Sequence, residues 1–137
     1  MSLNLQRIAY YSLASQPEAA LIMLAEILGV SDRNNVRDSL TGALLVSRGR
    51  FFQVLEGAAQ DLDRTLARIA ADPRHHSLNV VLRVDVNRRM FGQWGMVAAR
   101  IAPSQQPEID AIIDRCHDDP AAAIKAARDL LEHQIAA

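Results

Sequence analysis

Cysteine is almost absent from this chain. Cys116 is the sole thiol in 137 residues, so no disulfide can close within the chain, and a reducing, cytoplasmic setting is expected. Lysine is equally scarce: Lys125 stands beside fourteen arginines, no block of like charge occurs, and the formal net charge is -1. That balance offers no electrostatic footprint for nucleic acid or an anionic membrane. No apolar run reaches the roughly 18 residues that a membrane helix needs, and Met1-Ser2-Leu3-Asn4 does not begin a signal peptide. His75, His76, His117 and His133 have no thiol or carboxylate pattern around them, so no metal site is expected. Repeats and low-complexity segments are missing as well. What remains is an ordinary soluble composition, 50% hydrophobic and 23% charged, of a length suited to one domain with a substantial core.

The most informative stretch is Phe51-Phe52-Gln53-Val54-Leu55-Glu56-Gly57. Alternation along a strand puts Phe51, Gln53 and Leu55 on one face and Phe52, Val54 and Glu56 on the other. Both faces are apolar enough to be covered, which predicts an interior strand. Gln53 is then a primary amide between hydrophobes. Leaving it unpaired costs about 1–3 kcal/mol, so it meets either neighbouring backbone or another polar group inside the core.

Around this strand the chain alternates between periods of two and 3.6. Leu5 to Ser12 reads as a strand with Ile8, Tyr10 and Ser12 on one face. Ser15-Gln16-Pro17-Glu18 has capping-box spacing and an early proline, which predicts a helix start. Leu21, Leu24, Leu28, Ser31 and Asn35 follow on one helical stripe. The stripe ends polar, either because the helix ends there in solvent or because it faces a bound polar molecule. Leu40 to Val46 is a second strand, where Gly42 implies close approach of another chain or a ligand. Ser47 to Arg50 turns it into the strand at Phe51. Leu62, Leu66 and Ile69 make a second helical stripe that Pro73 stops. Leu78, Val80, Leu82, Val84 and Val86 then alternate with polar residues, predicting a half-buried strand. Trp94 to Ile101 makes a fifth strand. The rest is helical, with stripes at Ile109, Ile112, Ile113 and Cys116 and at Ile124, Ala127 and Leu131, separated by Asp118-Asp119-Pro120. The expectation is an α+β, ferredoxin-like βαββαβ order with a fifth strand, forming a five-stranded mixed sheet. Two crossover helices cover one face, and two C-terminal helices cover the face of Phe52 and Val54.

Tyr10-Tyr11-Ser12, Asn34-Asn35, Leu40-Thr41-Gly42, Phe51 to Gly57, Asp72-Pro73-Arg74-His75 and Trp94-Gly95-Met96 occur together, in this order. The set resembles the BLUF family, blue-light sensors that bind a flavin, from about Leu5 to about Arg100. The resemblance implies photoactive roles for Tyr10 and Gln53, with Trp94 and Met96 as a signalling pair. It implies that Asn35 bonds the flavin edge with Ser31 and Asn34 beside it, and that Asp72, Arg74 and His75 help to frame the ring. Tyr11, where a basic residue is frequent, and Pro73, inside the corner, depart from the family pattern. The cofactor implied is FAD or FMN. No enzymatic output and no catalytic residue are expected. Residues 1–101 would form the flavin-binding core and 102–137 a helical cap on the same domain. No output domain is recognisable after Ala137, which implies a separate downstream effector or a second copy of the chain as partner. A light-independent ferredoxin-like module, of acylphosphatase or small-ligand-binding type, is the alternative. It wants an anion cradle of glycines and an arginine after the first strand, which Leu13-Ala14-Ser15-Gln16 does not supply.

Overall fold

Strand β3 (Arg50–Ala58) is buried from Phe51 through Gly57, because apolar residues on both of its faces are covered. The computed structural model describes residues 5–16, 40–92, 97–98 and 103–136. Beside β3 lie β1 (Leu5–Ala14) and β2 (Thr41–Ser47), both antiparallel to it. β4 (His75–Asp85) pairs with β1, and β5 (Val97–Ala98) runs parallel to β2, giving the order β4-β1-β3-β2-β5. The four antiparallel strands have the 4-1-3-2 order that a βαββαβ chain generates when its crossovers skip one strand. Of the strand read from Trp94 to Ile101, the described part is Val97–Ala98.

The β2–β3 turn is tight because Arg48 and Gly49 both take positive φ, 54° and 73°. This matches the right-handed twist of the strands that it joins. Gly42 has a stricter reason to be glycine: a Cβ there would sit 2.0 Å from the Val54 carbonyl oxygen. The close approach inferred from its place in a strand is that of β3 itself.

Helix α1 (Ala59–Ala70) ends before Pro73 and buries Leu62 and Thr65; Leu62 joins Ile8, Leu40 and Leu55, with Ile69 packed against them. The opposite face carries Ala9, Ala43, Leu45, Phe52 and Val54. Helices α2 (Gln106–Arg115) and α3 (Pro120–Ala136) bury Ile109, Ile112, Ile113, Ile124, Ala127 and Leu131 in that same cluster, together with Cys116 just beyond α2. Asp119 begins α3: its carboxylate accepts the Ala122 N–H (3.2 Å) and its carbonyl the Ala123 N–H (3.1 Å), with Pro120 just inside. The helix read from Leu21 to Asn35 lies outside the described residues.

β4 departs from simple alternation. Its pairing with β1 shifts register between Ala9 and Tyr10 and again between Tyr11 and Leu13, and Ser77 takes a φ of 57°. Each irregularity changes which face a side chain meets. Val81 and Leu82 both pack toward the helices, while Val80 and Val84 are 38% and 41% exposed. The single buried face expected for Leu78 to Val86 is therefore corrected to an irregular edge strand.

Candidate functional site

Tyr10 on β1 and Gln53 on β3 are direct cross-strand partners, with Leu44 on the other side of Gln53. Alternation directs Tyr10 and Gln53 away from α2 and α3, and both are buried, at 4% and 2% exposure. The Tyr10 hydroxyl donates to Oε1 of Gln53. That contact orients the amide, because a phenol O–H can donate to the carbonyl end and not to the amino end. Burial, with the Asp72 carboxylate adding to it, pushes the Tyr10 phenol far above its ordinary range. The phenol therefore stays protonated at neutral pH and keeps its hydrogen on the Gln53 side.

Ser12 lies two residues along the same face and is fully buried. Its Oγ is 2.8 Å from His75 Nδ1, and His75 Nε2 is 2.6 Å from the Ile69 carbonyl at the end of α1. The imidazole sits against Tyr10 and Phe51, with ring centroids 6.3 and 6.1 Å away. The Asp72–Arg74 corner is rigid: both carboxylate oxygens accept from Arg74 Nε at 3.0 Å, and Oδ1 also accepts the Arg74 backbone N–H at 2.9 Å. The Arg74 guanidinium holds the Asp72 carboxyl below the usual carboxylate range. The corner is tied to the end of β1, where Ser15 N donates to Arg74 O (2.9 Å) and Ser15 Oγ to Pro73 O (2.7 Å).

Of the residues singled out from the sequence, Tyr10, Gln53 and His75 are brought together, with Asp72 near enough for its charge to act on Tyr10. Ser31, Asn34, Asn35, Trp94 and Met96 lie outside the described residues. Ser12 carries a role that sequence reading missed, although its phase with Tyr10 was visible. Glu56 gained no site role from the sequence. It is fully buried and accepts from Arg7 Nε (2.8 Å), Thr41 Oγ1 (3.2 Å) and the backbone N–H groups of Met90 (2.7 Å) and Phe91 (2.8 Å). Its place beside Phe52 and Val54 on a covered face was the available signal.

A buried phenol–amide pair is the donor set that suits the polar edge of a flavin: the amide offers N–H groups to ring acceptors while its carbonyl is held by the phenol. Among the described residues no cluster of His, Cys, Asp or Glu suits a metal, and no helix is long and apolar enough to cross a membrane.

The family model for sensors of blue light using FAD matches residues 5–97. The chain belongs to the BLUF family. It is 36% identical over 112 residues to the photoactivated adenylate cyclase subunit alpha of Euglena gracilis, covering 80% of this chain and 11% of that protein. It is 38% identical over 99 residues to the beta subunit of Euglena longa, covering 72% and 12%. The chain thus spans about a tenth of the length of these curated relatives. Among solved structures, a bacterial light-regulated adenylyl cyclase superposes with a TM-score of 0.72 at 29% identity, over 93% of this chain and 40% of that one. The dark-state structure of BlrB, a BLUF protein, gives 0.74 at 23% identity, over 96% and 99%, which supports the fold. A BLUF domain is a blue-light sensor with a flavin, FAD, as chromophore, and the light-independent alternative is not favoured.

Proposed function

We propose that Tyr10 and Gln53 are the photoactive pair of this BLUF domain and that Gln53 leaves the light reaction with changed hydrogen bonds. The buried Tyr10–Gln53 contact carries this reading. The bound flavin supplies light absorption and a ring that accepts an electron when excited. Tyr10 is the donor. Ionisation of its phenol is disfavoured by burial and by Asp72, so its electron leaves before or with its proton. The proton leaves along the hydrogen bond toward Gln53 Oε1. Return of electron and proton would restore the phenol and leave Gln53 rotated or tautomerised, with its hydrogen-bond donor re-aimed toward the bound ring.

On this reading Asn35, Ser31 and Asn34 hold the pyrimidine edge, and Asp72, Arg74 and His75 frame the ring. FAD is the family's chromophore, and FMN would fill the same ring site. Residues 1–101 act as the flavin-binding core, with two helices on the flavin side of a five-stranded sheet, and 102–137 act as a cap. Trp94 and Met96, just ahead of β5, pass the change to the C-terminal helices, and a separate effector or a second copy of the chain reads it. The domain senses and does not itself catalyse; both adenylate cyclase relatives extend far beyond the matched part.

The test is direct. Purified protein should be yellow, and blue light should move its absorption band slightly and reversibly to the red, with the flavin oxidised before and after. Colourless protein that takes up no flavin on reconstitution would contradict the proposal.

A further inference from the structure

The peptide group between Met90 and Phe91 is bonded at both of its ends. Its N–H, that of Phe91, donates to Glu56 Oε1 at 2.8 Å, and its carbonyl, that of Met90, accepts from Arg128 Nε on α3 at 3.0 Å. The preceding N–H, that of Met90, reaches Glu56 Oε2 at 2.7 Å. Arg89 closes the arrangement: its Nη1 is 3.0 Å both from Thr41 Oγ1 and from the Glu56 main-chain carbonyl. A buried carboxylate is tolerated when charge-assisted bonds satisfy it, and these come from β1, from β2 and from the loop after β4. The loop is therefore fastened to β3 by directional bonds.

We propose that Glu56, the Met90–Phe91 peptide and Arg128 form a latch that couples β3 to α3. The proposal rests on the reading of Gln53 as photoactive. Gln53 and Glu56 lie on the same strand and face opposite sides of the sheet. A change in the bonding of Gln53 on one face that twists or slides β3 moves the Glu56 carboxylate on the other. A peptide group is planar and rigid, so a shift at its N–H tilts its carbonyl with it. Hydrogen bonds weaken steeply as they leave alignment, so Arg128 is held or released. Arg128 Nη1 also pairs with Glu132 one turn along α3, at 2.7 Å, which ties the latch to the helix surface. The route runs through main chain and one buried carboxylate, and requires neither Trp94 nor Met96.

The test uses the full, flavin-loaded chain and compares amide hydrogen exchange across α3 in dark and light. Arg128 is 36% exposed, so Arg128→Met keeps its apolar stem and removes the donor without disturbing the core. The light-induced absorption shift should persist, while the light-minus-dark difference in exchange rate across α3 falls by about fivefold, the low end of ordinary coupling between sites. Glu132→Gln removes the surface pair alone and should leave that difference in place. Glu56→Gln, where it folds, should behave as Arg128→Met. A normal absorption shift with an undiminished α3 response in Arg128→Met overturns the latch. A wild-type shift with no exchange change in α3 overturns it too. Absence of the wild-type shift removes the reading of Gln53 on which the latch rests, and the absorption spectrum tells that failure apart from the others.

Discussion

The Ser12 hydroxyl meets Nδ1 of His75 across 2.8 Å, and for the neutral imidazole the group at the other side of the ring makes the hydroxyl the donor. His75 Nε2 faces the Ile69 carbonyl at 2.6 Å, and a carbonyl can only accept, so Nε2 carries the proton. In the neutral ring Nδ1 is then the acceptor. One imidazole thereby joins the end of α1 to β1 two residues from Tyr10.

Ser12→Ala deletes that donor and leaves Nδ1 facing an apolar methyl. The expected cost is about 1–3 kcal/mol, the usual penalty for a buried polar atom that loses its partner. Urea denaturation monitored by circular dichroism would measure it. A midpoint equal to wild type would mean that the Ser12–His75 bond contributes nothing.

Gly42→Ala should be more damaging than its single methyl suggests. The new Cβ would lie 2.0 Å from the Val54 carbonyl oxygen, a backbone atom that moves only if β2 and β3 separate. Overpacking of this kind costs about 1–3 kcal/mol and occasionally more, and here the upper end is expected. Loss of both flavin uptake and stability checks it; a variant as stable as wild type contradicts the backbone contact.

Much of this architecture is legible in the sequence because strand alternation is local. Phe52 and Val54 on one face, with Gln53 and Leu55 on the other, follow from a period of two, and the stripes of α2 and α3 follow from a period of 3.6. β4 was misread because two register shifts change the phase, and nothing in Leu78 to Val86 marks where they fall. The partners of Glu56 were illegible for a different reason. Met90 and Phe91 act through backbone N–H groups, which carry no side-chain signature and arrive from a distant loop. Gly42 was half legible: the need for close approach was plain, but the approaching group was not.

Stability should fall on the alkaline side. Burial raises Cys116 from 9.0 to about 11, and burial with the Asp72 charge raises Tyr10 further still from 10.0. In the unfolded chain both groups release their protons first, so rising pH favours unfolding. Their contribution is complete below the unfolded values and is lost as pH climbs through the folded ones. Melting temperature should therefore decline from about pH 9 upward. Cys116→Ala should flatten the first part of the decline and Tyr10→Phe the later part. Unchanged slopes in both variants would place the alkaline sensitivity elsewhere.

Flavin affinity should separate the two neighbouring asparagines. On the proposal that Asn35 bonds the flavin edge, Asn35→Ala would leave ring groups unpaired and should weaken binding by about tenfold to a hundredfold, equivalent to about 1–3 kcal/mol. Asn34→Ala should cost less, because the proposal gives the ring contact to Asn35. Titration of apoprotein with FAD, followed by fluorescence quenching, measures both. Equal and negligible losses would move the ring away from Asn35.

The light-minus-dark absorption spectrum of Tyr10→Phe and Gln53→Leu, each loaded with FAD, reads the photoactive pair itself. Tyr10→Phe removes the donor, and Gln53→Leu removes the amide that receives its hydrogen bond, while the remaining residues are left to hold the ring. Both variants should stay yellow and lose the reversible red shift. A normal, reversible shift in either one would contradict the assignment of Tyr10 and Gln53.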